Sequence, residues 1–138
     1  MITGPDALAF FSAYRDAFDR LDGDAIADLW HVPSGIAQSD GVTWGGEDAP
    51  MRANHCALCA LYRNAGYGRA DFEIVHHEPL GAGHAFLRVQ WSLWRRDGKP
   101  LQAFGTGYQL VRTAQGPRVL LCTAFEEDLQ EMKRHAAQ

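Results

Sequence analysis

Residues 84–126, HAFLRVQWSLWRRDGKPLQAFGTGYQLVRTAQGPRVLLCTAFE, decide how this chain folds. Residues 84–94 are rich in β-branched and aromatic side chains, which suit a half-buried pleated surface. Arg95-Arg96-Asp97-Gly98 then turns the chain, and residues 100–112 return it. Ala114-Gln115-Gly116-Pro117 turns it again before residues 118–126. Gly and Pro punctuate both turns, so the spacing predicts three long antiparallel strands in succession.

Side chains alternate across a strand, which assigns faces. In residues 84–94 one face carries Ala85, Leu87, Val89, Trp91 and Leu93, and the other Phe86, Arg88, Gln90, Ser92 and Trp94. The apolar set is expected inward. The outer set, polar with aromatic ends, would suit a sheet-to-sheet contact in a homodimer. In the next strand the bulky set Phe104, Thr106, Tyr108 and Leu110 is assigned inward, opposite Ala103, Gly105, Gly107 and Gln109. The two glycines suggest a bulge or bend.

Upstream, Thr3-Gly4-Pro5-Asp6 is a helix-start signal. Leu8, Phe11, Tyr14, Phe18 and Leu21 then recur at helical spacing. Leu21-Asp22-Gly23-Asp24 breaks this helix and caps a short second one over residues 25–30, which Pro33 ends. Residues 35–39 and 42–44 read as short strands around Ser39-Asp40-Gly41. Glu47-Asp48-Ala49-Pro50 opens a third helix whose stripe is Met51, His55, Leu58, Cys59 and Tyr62. Residues 71–78 read as a strand, and residues 126–135 as a closing polar helix. The order is α-α-β-β-α-β-β-β-β-α, an α+β chain with helices gathered on one antiparallel sheet.

With 138 residues, one domain spanning the chain is expected. A net charge of -4 with scattered basic residues argues against binding nucleic acid or anionic membranes. No apolar run approaches a bilayer span, and no basic, then apolar leader opens the chain. Three cysteines form an odd set, pointing to free thiols and a cytoplasmic protein.

The pattern Tyr14 … Leu21-Asp22-Gly23-Asp24-Ala25-Ile26-Ala27-Asp28-Leu29-Trp30 resembles the opening of the nuclear transport factor 2-like superfamily. Later segments fit too: Val89-Gln90-Trp91-Ser92-Leu93-Trp94, Gly105-Thr106-Gly107-Tyr108-Gln109-Leu110-Val111 and Arg118-Val119-Leu120-Leu121. The resemblance covers nearly the whole chain. It implies a cone-shaped curved sheet whose concave face, with the helices, encloses a pocket, and it implies a homodimer. The SnoaL-like cyclases and ketosteroid isomerases of the superfamily are closest in layout. Isomerase chemistry needs a carboxylate base and an oxyanion hole of a tyrosine and a protonated aspartic acid. Tyr14 falls at the tyrosine position, but the base position falls on Gln38, and no carboxylate stands near Thr106 or Tyr108. Isomerase chemistry of that kind is therefore not expected.

Tyr14, Trp30, Trp91, Phe104, Tyr108 and Phe125 are the candidate lining of a site for a flat apolar or aromatic molecule. The alternative is that they fill the core. Gln38 and Cys59 are placed with them. His55 reads either as a general base at the pocket wall or as a half-buried helix histidine. Cys56 and Cys59 form a C-x-x-C in mid-helix without a second ligand pair, which reads as two buried small residues. His76 and His77 adjoin on a strand and so point to opposite faces. In Glu126-Glu127-Asp128 the acids read either as caps of the last helix or, through Glu126, as a carboxylate at the pocket mouth. No metal or cofactor is expected. A small-molecule binding protein is the first functional expectation. A SnoaL-like cyclase, isomerase or dehydratase using Tyr14, His55 and Asp40 or Glu126 is the second. A non-catalytic dimerisation module is the third.

Overall fold

The computed structural model describes residues 1–137. Its elements follow the expected order: α1 (Gly4–Asp19), α2 (Gly23–Ala27), β1 (Trp30–Gln38), β2 (Gly41–Gly45), α3 (Asp48–Asn64), β3 (Tyr67–Leu80), β4 (His84–Arg95), β5 (Pro100–Thr113), β6 (Gly116–Ala124) and α4 (Leu129–Ala136). The fold is α+β, a curved, unclosed six-stranded sheet in the order β2-β1-β6-β5-β4-β3 with helices over its concave face.

Local chemistry sets the helix starts. The Thr3 hydroxyl accepts from the Asp6 N–H at 3.2 Å while the Asp6 carboxylate accepts from the Thr3 N–H at 2.9 Å. This reciprocal cap satisfies two donors that the first turn leaves free. Asp22 caps α2 by accepting from the Ala25 N–H at 3.0 Å. Leu21, with φ of 52°, makes the sharp reversal before it. Arg52 on α3 reaches Asp48 at 2.7 Å and Asp28 at 2.6 Å, tying α3 to the end of α2.

The sheet differs from the expectation in three places. It is mixed, because β1 runs parallel to β6 while every other pair is antiparallel. The second helix stops at Ala27, and Trp30 already belongs to β1. The parallel pairing explains this: Trp30 sits opposite Val119, and the Val119 N–H donates to the Leu29 carbonyl at 2.9 Å. Pro33 falls within a register irregularity between Trp30 and Gly35, where a missing N–H is tolerated. Strand β3 is longer than residues 71–78 because it pairs along the whole of β4.

The face assignments of β4 and β5 hold. Ala85, Leu87, Val89, Trp91 and Leu93 are buried, as are Phe104, Thr106, Tyr108 and Leu110. Phe11 on α1 packs its ring 4.9 Å from that of Tyr108 and 6.4 Å from that of Trp91, so α1 lies across the concave face. The glycines of β5 have a different purpose from the one expected. The β4–β5 register runs unbroken through Gly105 and Gly107. A Cβ on Gly105 would meet the Phe125 ring at 2.8 Å, and one on Gly107 the Phe86 ring at 3.3 Å. They seat two aromatic rings on the outer face.

Candidate functional site

The concave face does not fill completely. A cavity of about 890 Å³ lies between α1, α3, the β1–β2 hairpin and the sheet. Each wall follows from a pattern already described. The inward faces of β4 and β5 bring Trp91, Leu93, Phe104, Thr106 and Tyr108, while α1 brings Tyr14 and Phe18. The α3 stripe contributes Met51, His55, Leu58 and Tyr62, and β1 contributes Trp30 and Ser34. Gln38 and Trp44 stand at the more exposed side, where the Trp44 ring lies over Gly35; a Cβ there would be 2.7 Å from it.

The polar groups are few and specific. Trp91 donates its indole N–H to the Tyr108 hydroxyl at 3.1 Å. The His55 ring lies 4.6 Å from the Trp30 ring, and His55 Nε2 is buried with no hydrogen-bond partner among the described residues. Burial pushes the His55 imidazole down to about 4, so it is neutral at physiological pH. Burial likewise drives the hydroxyls of Tyr14, Tyr62 and Tyr108 above the usual phenol range, keeping them protonated.

Among the described residues one acid enters the cavity wall, and it is Glu127. The Tyr62 hydroxyl donates to its Oε1. Burial raises the Glu127 carboxyl above the ordinary carboxylate range, partly opposed by that hydrogen bond. Three residues around it divide the labour. Glu126 Oε2 accepts from the Gly105 N–H at 2.8 Å, beyond the end of β6. Asp128 caps α4, accepting from the Gln130 and Glu131 N–H groups at 2.9 and 3.1 Å. Gln102 grips the backbone of Asp128 from β5. Glu127, held between these anchors, points inward.

The expected site residues therefore separate. Tyr14, Trp30, Gln38, His55, Trp91, Phe104 and Tyr108 come together around the cavity. Phe125 does not: Cys122 and Ala124 face the cavity, so alternation turns Phe125 outward, onto Gly105 and 5.5 Å from the Arg88 guanidinium carbon. Cys59 is buried but is not part of the cavity wall, and burial raises its thiol to about 11. Cys56 is exposed rather than buried, with its Sγ and backbone against Gly23. Asp40 is exposed in the β1–β2 turn, and Glu126 is taken by Gly105. His77 faces α1 and pairs with the Ile2 carbonyl at 3.2 Å, while His76 points outward to Glu78 at 3.4 Å. No three His, Cys, Asp or Glu side chains among the described residues are grouped to hold a metal ion. No helix among them is long and apolar enough to cross a membrane.

A curved sheet closed by helices over an aromatic cavity defines the nuclear transport factor 2-like class. The family model described as NTF2-like protein (DUF6841) matches residues 5–127, and the chain belongs to that family. No curated protein matches it. Among solved structures, it is similar to an NTF2-like protein of unknown function from Shewanella oneidensis, at 14% identity and TM-score 0.72, covering 88% of this chain and 98% of that one. A Mycobacterium tuberculosis protein of unknown function aligns at 14% identity and TM-score 0.73, covering 96% and 85%. A ketosteroid isomerase-like protein from Erwinia carotovora aligns at 17% identity and TM-score 0.65, covering 88% and 93%. At these identities the likeness is one of fold.

Proposed function

We propose that this protein binds a small, largely apolar or aromatic molecule in the cavity. The observation that carries the reading is an unfilled space of about 890 Å³, walled chiefly by aromatic and aliphatic side chains. That size and chemistry suit a small-molecule site, whereas a core serving only stability packs without such voids. Calorimetric titration with bicyclic and tricyclic aromatic probes tests it. Saturable binding that Leu58→Trp abolishes by filling the space supports the reading; no heat with any probe, or binding unaffected by Leu58→Trp, overturns it.

A second reading, proton-transfer chemistry of the isomerase, dehydratase or cyclase kind, is favoured by the Tyr62–Glu127 pair. A carboxyl whose titration burial raises, held by a tyrosine beside an enclosed cavity, has the chemistry of a group that gives or takes a proton. It would act with Tyr14 and Tyr108 in place of the Asp40 or Glu126 expected earlier. Conversion of an unconjugated cyclic ketone to its conjugated isomer, followed by ultraviolet absorbance, is the test. Turnover that slows roughly 100-fold in Glu127→Gln supports it, and a native chain that converts none of a ketone panel sinks it.

The outer sheet face supports a further proposal, pairing of two copies. Phe86 and Phe125 are exposed there, each over a glycine of β5. Sedimentation of the native chain and Phe125→Lys decides it: a dimer that dissociates in the variant is expected, and a native monomer overturns it.

A further inference from the structure

The charge inventory of the cavity is one-sided. Among the described residues its wall holds a single acid, Glu127, and no Lys or Arg. An anionic ligand would meet a carboxyl with no cation to receive its own charge. A purely apolar ligand would leave the buried Glu127 carboxyl facing hydrocarbon. Around the acid the wall is aromatic. The Tyr62 ring stacks on Tyr67 at 5.5 Å and lies 5.6 Å from Phe18, which is 5.2 Å from Tyr14. A row of aromatic rings beside one buried carboxyl is an environment that suits a desolvated organic cation.

Resting on the reading of the cavity as a ligand site, we propose that its preferred occupant is an organic cation, an amine or quaternary ammonium on a hydrophobic body, with its charge set against Glu127 and the rings of Tyr62 and Tyr14. The body occupies the apolar space toward Trp91 and Phe104. A bound cation beside Glu127 would also favour the ionised carboxylate that burial works against. The titratable groups that face Glu127 are Tyr14 from α1, Tyr62 from α3, Tyr108 from β5 and Cys122 from β6. All are held protonated by burial, so none competes for the cation's charge.

The test compares three probes of one aryl-alkyl skeleton by calorimetry: the trimethylammonium, its tert-butyl isostere and the carboxylate. The quaternary head has no proton to lose, so any pH dependence belongs to the protein. Near pH 8 the ammonium should bind about tenfold or more tighter than the tert-butyl isostere, and the carboxylate weakest. Glu127→Gln should bring the ammonium and its isostere to similar affinity. In the native chain, which needs no variant to fold, the ammonium preference should shrink as pH falls through the raised Glu127 titration.

Equal or better binding of the tert-butyl probe overturns the cationic preference and leaves the hydrophobic site intact. Tightest binding by the carboxylate also overturns it, and would make Glu127 a proton-bearing donor. A preference that neither Glu127→Gln nor pH alters overturns the assignment to Glu127. Absence of binding by all three overturns both this inference and the ligand-site reading.

Discussion

Gln102 holds both backbone groups of Asp128: its Oε1 accepts from the N–H and its Nε2 donates to the carbonyl, each at 3.0 Å. The same Nε2 donates to Glu131 Oε2 at 3.0 Å. A buried amide on β5 thus acts as the missing strand partner for a chain segment that has just left the sheet. The consequence reaches the cavity, because the segment so fixed begins one residue after Glu127. The anchors on either side, rather than any feature of Glu127 itself, put a carboxyl into an apolar wall.

Gln102→Leu keeps the volume of this side chain and removes its hydrogen bonds. It should lower stability by about 1–3 kcal/mol, the cost of leaving part-buried backbone groups unmatched. Urea unfolding measures this. If α4 and Glu127 depend on the grip, affinity for a cavity probe should fall as well. Unchanged stability would show that Asp128 finds its partners elsewhere.

Asp19 does similar work at the other end of the cavity. Its Oδ1 accepts from the Tyr67 hydroxyl at 2.8 Å and from the Ala70 N–H at 3.0 Å, joining the end of α1 to β3. Asp19→Ala strands two donors at part-buried positions. A loss of about 2–4 kcal/mol is expected, against about 1 kcal/mol or less for Asp16→Ala, whose partner is the half-exposed Arg15. Similar losses in the two variants would contradict the assignment.

Two glycine substitutions should separate a rigid contact from a yielding one. A Cβ on Gly23 would sit 2.7 Å from both the Cα and the Sγ of Cys56, and 2.8 Å from its backbone nitrogen. Only a shift of α2 against α3 relieves that, so Gly23→Ala should cost about 1–3 kcal/mol. At Gly105 the obstacle is the far end of the exposed Phe125 ring, which can swing away. Thermal unfolding of both variants should place Gly105→Ala clearly closer to the native chain.

The helical and strand patterns made the fold legible, because each depends on neighbours within a few residues. Alternation placed Leu87, Trp91 and Tyr108 inward without reference to the rest of the chain. The same alternation turns Phe125 outward, two positions along from Thr123 and four from Leu121. Glu127 was hidden. Its orientation depends on Gly105 and Gln102, more than twenty residues away in sequence. Glu126-Glu127-Asp128 reads locally as three equivalent acids, yet one binds a strand edge, one enters the cavity and one caps a helix. The parallel β1–β6 pairing was equally invisible, since it joins residues some ninety apart.

The buried, unpartnered His55 predicts how stability responds to acid. In the unfolded chain its imidazole titrates near 6.5, while in the native protein burial lowers this to about 4. Between those values the unfolded chain takes up a proton that the folded one refuses. Stability from this residue is therefore greatest above about pH 6.5 and falls with the pH, by about 3 kcal/mol across the whole window. Glu127 works in the opposite direction. Its raised titration means that the folded state holds the proton more tightly, so its contribution declines as pH rises above the ordinary carboxylate range. Comparing the native chain with His55→Phe cancels the Glu127 effect. The ring replacement removes Nε2, which has no partner to lose. At neutral pH the variant should be about as stable as the native chain or slightly more so. In urea unfolding carried from pH 7 toward pH 4, the native chain should lose stability relative to the variant throughout. Parallel pH profiles for the two proteins would mean that His55 reaches solvent and titrates normally.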